Sequence, residues 1–286
     1  MATAETAVAG NRVLYLYGVI PKGQSYPSEE GVPLQAVIHS DLVALVEPVC
    51  AQEFSSETLD ERLEDIEWVS RLARRHEAVL EGAMRYGVVA PARLCTLFSS
   101  ALALRLSLAA NEERFLAALE RMRGREEWGV KAYCTESRIR AQVGQDDAKV
   151  QSLDSALATA APGYAYVLQK QRETRLAELA AARIYDVTDE AGEALEREAV
   201  DLRLLRLLHP DEAAGKGGEI MVLNLAALVE TAARESFSSV VTQLAERFQE
   251  DGFRFEVSGP WPPYNFCAQD EDGPATGAFE AAGEEI

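Results

Sequence analysis

The chain has 286 residues, 48% of them hydrophobic and 26% charged, a balance that excludes a disordered or fibrous protein and fits one large or two modest globular domains. Its 47 acidic and 28 basic residues leave a formal net charge of −19 and a pI near 4.6, so no nucleic acid and no membrane is expected as a partner. Arginines are interleaved with glutamates, as at Arg71, Arg74, Arg75, Glu77 and Glu81, which reads as a solvated helix face and not as a basic stripe.

The first predicted element is residues 13–20, VLYLYGVI, a continuous β-branched and aromatic run that ends at Pro21-Lys22-Gly23 and reads as a buried strand. Residues 35–39 and 42–46 are two short apolar runs around Ser40-Asp41 and read as a hairpin. From Thr58 the period changes to 3.6, with Leu59, Leu63, Ile66, Val69, Leu72, His76, Val79, Leu80 and Ala83 on one stripe. A Thr58-x-x-Glu61 capping box opens this helix, which is expected to end near Tyr86 with Gly87 as the left-handed terminator. Residues 88–98 read as a strand interrupted by Pro91, and Ser99 or Ser100 opens a helix through Leu102, Leu106, Phe115, Leu119 and Met122 with a break near Asn111.

Gly124 to Gly129 is the expected domain boundary. Beyond it come a short strand at 129–134, a long helical stretch to about Ala199 punctuated by Pro162-Gly163, and strands at 200–208 and 219–229 around a turn at 209–218. An amphipathic helix follows on Val229, Ala233, Phe237, Val240, Val241, Leu244 and Phe248 up to Gly252. The alternating strand of Phe253, Phe255 and Val257 closes the series. This β-α-β-β-α-β order is that of a ferredoxin-like sandwich, a sheet with helices on one face. The expected fold class is therefore α+β in two domains, 1–125 a modified ferredoxin-like unit and 126–268 a ferredoxin-like unit with a helical insertion, followed by an acidic disordered tail, 269–286.

No uncharged stretch reaches the roughly 18 to 20 apolar residues of a bilayer-spanning helix. The N-terminus lacks the basic and apolar regions of a secretory signal, so a cytoplasmic location is expected. Cys50, Cys95, Cys134 and Cys267 lie far apart, and only His39, His76 and His209 could join them, which favours buried reduced thiols over a disulfide or a metal site.

The catalytic templates fail in turn. Lys216 in Ala-Gly-Lys-Gly-Gly lacks the spacing and the strand-to-helix context of a phosphate loop and reads as a hairpin turn. No Gly-x-Gly-x-x-Gly, His-Glu-x-x-His or Gly-x-Ser-x-Gly occurs. His76 is a conceivable general base without a nucleophile at a readable spacing, so a structural or partner-contacting role is favoured. Neither an enzyme, a cofactor nor a small-molecule substrate is expected.

The unusual segment is residues 259–266. Pro260, Pro262 and Pro263 after Gly259 fix φ and withhold donors, so the chain is expected to leave the sheet in an extended, polyproline-like form. Trp261, Tyr264 and Phe266 then either cap the open end of the core, the reading physics favours, or serve a partner as anchors.

VLYLYGVI and this terminal Gly-Pro-Trp-Pro-Pro-Tyr-Asn-Phe resemble the accessory gas vesicle proteins GvpF and GvpL. So do residues 76–81 (HEAVLE), 88–93 (VVAPAR), 127–131 (EWGVK), 163–168 (GYAYVL) and 221–224 (MVLN). Ala90 and Leu94-Cys95 depart from the family's larger apolar residue and Phe-Gly, which bears on the packing of one strand. The resemblance implies a non-enzymatic assembly protein of gas vesicles, built of two domains related to the ferredoxin-like arrangement. It implies residence in the cytoplasm and at the vesicle, on its gas-facing side. The implied partners are the hydrophobic shell protein GvpA and other accessory Gvp proteins, and the implied role is nucleating or chaperoning wall formation. Trp261, Tyr264, Asn265, Phe266, His76 and Arg93 are the candidate partner-binding residues. A small-molecule sensor on paired ferredoxin-like domains is the alternative, by analogy of architecture alone.

Overall fold

A computed structural model of the chain describes residues 11–26, 33–208 and 218–267, and the chain divides into two compact units. The first takes the chain up to Glu126 together with the part from Trp261 onward, and the second is Glu127–Pro260. The sequence expectation ran the second domain to 268. Residues 261–267 instead pack with the first unit, where Phe266 is buried and Tyr264 lies against the core.

The first unit is built on β1 (Arg12–Pro21), β2 (Gln35–His39), β3 (Leu42–Cys50), β4 (Ala90–Pro91) and β5 (Leu97–Phe98), in the order β2-β3-β1-β4 with β5 also on β1, and the pairs are antiparallel. Helices α1 (Ser56–Glu64), α2 (Ile66–Met84), α3 (Ala101–Ala110) and α4 (Glu112–Met122) pack on it. They cover both faces of the sheet and not one. Tyr15, Tyr17, Ile20, Val43 and Leu45 meet Trp68, Val79, Leu80 and Ala83 on one side. Leu14, Leu16, Val19, Leu42, Ala44 and Val46 meet Leu104, Leu108 and Leu119 on the other. That is why β1 is apolar without alternation.

A β-bulge explains how one strand serves both faces. Leu16 pairs with Val46 and Gly18 with Leu45, so Tyr17 is the extra residue, and the inward parity switches from 15 and 17 to 20. Gly18 is required there, because a Cβ would stand 2.8 Å from the Ala90 carbonyl oxygen and 3.0 Å from side-chain carbons of Leu80 and Val89.

The single helix expected from Thr58 is two helices. Ser55 caps α1 through the Thr58 N–H, and Asp65 ends that helix in an extended conformation and caps α2 through the N–H groups of Glu67 and Trp68. Leu63 and Ile66, placed on the buried stripe by periodicity, are exposed as a result. Residues 88–98 are likewise two short bridges to β1, held by Ala92 N–H to Tyr17 O and Leu16 N–H to Thr96 O, with a tight excursion between them in which Cys95 has φ of 63°. Ser100 does cap α3, and Asn111 does separate it from α4.

In the second unit β6 (Arg125–Cys134), β7 (Asp201–Leu204), β8 (Ile220–Glu230) and β9 (Phe253–Trp261) form a sheet in the order β7-β8-β6-β9. Helices α5 (Glu136–Asp146), α6 (Ala148–Leu157), α7 (Pro162–Glu196) and α8 (Arg234–Phe248) account for the helical stretches. Alternate residues Val130, Ala132 and Cys134 of β6 and Leu223, Leu225, Ala227 and Val229 of β8 face Ile139, Val187, Leu195, Phe237, Val241 and Phe248. The two units are thus sheets with flanking helices, a mixed α+β architecture. Pro162 and Gly163, read as punctuation, open α7, where a proline costs no hydrogen bond.

β9 runs through Gly259 and Pro260 to Trp261 instead of leaving the sheet at 259. It is an edge strand, where a missing donor is tolerated. Gly259 has φ of 135° and a Cβ there would meet the Glu127 carbonyl oxygen at 3.0 Å. The chain then turns into α9 (Tyr264–Cys267), a single helical turn in place of the expected extended form. All four cysteines are free. Cys134 is buried, as expected of a structural thiol, whereas Cys50 is exposed. Among the described residues no helix is long and apolar enough to cross a membrane. The turn around Lys216 and the acidic tail lie outside the described residues.

Candidate functional site

Three of the sequence-nominated residues converge in the first unit. A cleft of about 300 Å³ is lined by Ala73, His76 and Glu77 of α2, by Arg93 and Leu94 of the excursion between β4 and β5, and by Tyr264 of α9. His76 and Glu77 follow Ala73 by three and four residues on the helix, so both neighbour it on the face toward the cleft. The excursion brings Arg93 and Leu94 opposite because both of its ends are hydrogen-bonded to β1. Tyr264 arrives because the C-terminal turn folds onto the unit.

Behind the cleft is a buried polar network. His76 is 1% exposed. Its Nε2 lies 3.1 Å from the Ala92 carbonyl oxygen, which can only accept, so Nε2 carries the proton and Nδ1 accepts from the Tyr15 hydroxyl at 2.8 Å. Burial lowers the imidazole pKa to about 4, and the ring is neutral. Beside it the Tyr17 hydroxyl donates to Glu47 Oε2 at 2.6 Å, and Arg75 donates to Glu47 Oε1 at 2.5 Å. Burial raises the pKa values of both tyrosines, so neither is a base. With both ring nitrogens engaged, His76 holds α2, β1 and the excursion together and offers no free lone pair for proton transfer.

The cleft wall differs in that its polar groups are not all matched. The Tyr264 hydroxyl donates to Glu77 Oε1 at 3.3 Å, and its ring lies nearly parallel to that of His76, centroids 6.4 Å apart. Glu77 Oε2 is buried and, among the described residues, has no hydrogen-bond partner; burial raises the carboxyl pKa. Arg93 is exposed at the rim.

The other nominated residues lie elsewhere. Phe266 is buried at 2% exposure beneath the Arg121 guanidinium, 5.9 Å from its ring centre, so it packs as a cap. Pro262 and Pro263 are buried and Asn265 is half-buried on the same turn. Trp261 is 41% exposed. Within the aromatic segment Phe266 is core, Tyr264 packs on the core on one side and lines the cleft on the other, and Trp261 is partly open. Sequence reasoning missed Tyr15, Tyr17, Glu47 and Glu77. Tyr15 and Tyr17 were legible in principle, since two tyrosines one pleat apart in a buried strand each need a polar partner.

A second hollow of about 440 Å³ in the second unit is lined by Asp147, Arg183 and Asp251 among others. Two of its three acids are already held, Asp147 by Arg175 and by the N–H of Val150, Asp251 by Arg183 and Gln142. No group of three or more potential metal ligands occurs among the described residues.

Comparison with known proteins agrees along most of the chain. The family model "Gas vesicle synthesis protein GvpL/GvpF" matches residues 13–268. The chain is 31% identical over 276 residues to gas vesicle protein L of a Streptomyces species, covering 92% of this chain and 95% of that one. It is 28% identical over 208 residues to gas vesicle protein L2 of Halobacterium salinarum, covering 71% and 73%. Among solved structures, the crystal structure of GvpF from an Anabaena species superposes with a TM-score of 0.66 at 18% identity, over 91% of this chain and 100% of that one. That of GvpF from Microcystis aeruginosa gives 0.61 at 16%, over 90% and 99%, and both likenesses speak to the fold. With the family model spanning both units, the chain belongs to the GvpL/GvpF family of gas vesicle proteins.

Proposed function

We propose that this chain is a non-enzymatic accessory protein of gas vesicle assembly, one that binds the hydrophobic shell protein GvpA and other Gvp proteins and nucleates or chaperones the wall. The observation that carries the reading is family membership over residues 13–268. Its place of action is then the cytoplasm and the growing vesicle. In this reading the two units are the two domains, each of ferredoxin-like descent, and their shared strand order supports it: second, third, first, fourth in both.

The physics fits such a task. A shell subunit with an apolar face aggregates before it is built in, and a partner of net charge −19 keeps the complex dispersed while its own apolar side chains cover that face. Such side chains are present. Leu102 and Leu106, one helical turn apart on α3, are 65% and 63% exposed, and Tyr164, Tyr166 and Val167 are exposed at the start of α7.

The test is co-expression with GvpA followed by affinity capture of this chain. Soluble GvpA retained with it is the expected result. GvpA that precipitates as it does alone, with none retained, rejects direct recognition.

A further inference from the structure

We infer that the cleft between α2, the excursion at Arg93 and α9 is a receptor for one basic side chain of a partner protein, a guanidinium in preference to an ammonium. The inference rests on the partner-binding reading above and names the chemistry of one contact. Glu77 carries it. A buried carboxylate oxygen without a donor is costly, and in this cleft the second oxygen of the same group is already engaged by Tyr264. Oε2 is closed off in this structure, so a guest's N–H reaches it once the Glu77 side chain turns toward the hollow, a rotamer change of the kind common on binding. The rest of the lining selects which donor. Ala73, Leu94 and the Tyr264 ring make the hollow mostly apolar, and about 300 Å³ admits a side chain but not a folded element. A planar, weakly hydrated guanidinium stacks on an aromatic ring while donating to a carboxylate, whereas an ammonium surrenders more hydration to enter the same place. The charge of the whole chain, −19, draws basic segments toward it.

His76 cannot supply the missing donor, because its one N–H is given to Ala92. Arg93 is the internal competitor. It lines the same cleft, and its charge opposes an incoming cation. The two residues are thus expected to act with opposite signs, Glu77 favouring the guest and Arg93 weakening it. A site for an anion requires the reverse.

The experiment is a methyl NMR titration of the full chain, labelled at alanine and leucine methyls, with N-acetyl-arginine amide, N-acetyl-lysine amide and N-acetyl-glutamate amide. The arginine probe is expected to shift the Ala73 and Leu94 methyls saturably, the lysine probe to bind more weakly and the glutamate probe not at all. Glu77→Gln, which keeps an acceptor for Tyr264, is expected to weaken the arginine probe by about tenfold or more, the loss of one charge-assisted hydrogen bond, and Arg93→Gln to tighten it. No saturable shift with the arginine probe, the same affinity in Glu77→Gln, or preference for the glutamate probe each overturns the inference. GvpA capture is run in parallel with the parent and Glu77→Gln proteins. Equal capture by both with no probe binding removes the cleft inference and leaves the partner reading standing. Probe binding that follows the expected pattern without any capture of GvpA supports the cleft and rejects GvpA as its partner.

Discussion

Replacing Phe266 by alanine tests whether the C-terminal aromatic segment is part of the first unit's core. The side chain is 2% exposed, so truncation removes nearly all of a phenylalanine's buried surface. A buried aromatic contributes about 150 to 250 Å², or about 4 to 6 kcal/mol at 25 cal/mol per Å², of which alanine retains a part. The measured range for such truncations, about 3 to 5 kcal/mol, is the expected cost. Arg121, stacked over the ring, loses a contact worth about 0.5 to 1 kcal/mol within that figure. For a cooperative unit of about 150 to 250 residues, each kcal/mol lowers the melting temperature by about 2 to 4 °C, so a fall of about 6 to 20 °C is expected by calorimetry or circular dichroism. Trp261→Ala is the internal comparison: its side chain is 41% exposed, and its cost should be less than half as large. Melting of Phe266→Ala indistinguishable from the parent, or a larger effect from Trp261→Ala, refutes the packing described for this segment.

Gly18→Ala should cost about 1 to 3 kcal/mol in a urea melt, because its methyl meets a backbone carbonyl that cannot rotate away; a neutral result contradicts the bulge geometry. His76 titrates near 6.5 when unfolded and at about 4 when folded, so between those values the unfolded chain takes up a proton that the native one refuses. Stability should therefore fall as pH drops through that window, by about 2 kcal/mol at pH 5 from this group, and the parent should show a steeper loss than His76→Gln; parallel curves would place His76 outside that window. Leu102→Ser with Leu106→Ser should leave the melt within about 0.5 kcal/mol of the parent, as both are exposed, while reducing GvpA capture. Unchanged capture would exclude this face of α3 as a contact.

Much of the architecture was legible because its signals were local. The continuous run at 13–20, the hairpin over Ser40-Asp41, Ser100 and Asn111 around α3, and the alternation at 253–257 each follow from propensity, capping or pleat. What escaped depended on partners distant in sequence. Periodicity carried the helix across Asp65, since Leu63 and Ile66 fit the stripe, yet the aspartate's ability to cap a new helix prevailed. Pro91 was read as interrupting one strand, whereas the excursion after it is set by hydrogen bonds to β1. The prolines at 260–263 suggested an exit from the sheet; the edge position of β9 admits them and moves the exit to Pro262. The cleft was half legible. His76 and Tyr264, singled out by residue type, and Arg93, by resemblance, line one hollow, but Glu77, the group with the unmet hydrogen bond, looks in sequence like any other acid on a charged helix.

The central claim is that this chain is needed for building gas vesicles. The most direct measurement supplies a heterologous host with GvpA and the remaining gas vesicle genes, with and without this chain, and counts gas-filled vesicles by electron microscopy alongside cell flotation. The account predicts vesicles and buoyant cells only when the chain is present, with GvpA otherwise insoluble. Equal numbers of normal vesicles in its absence would contradict it.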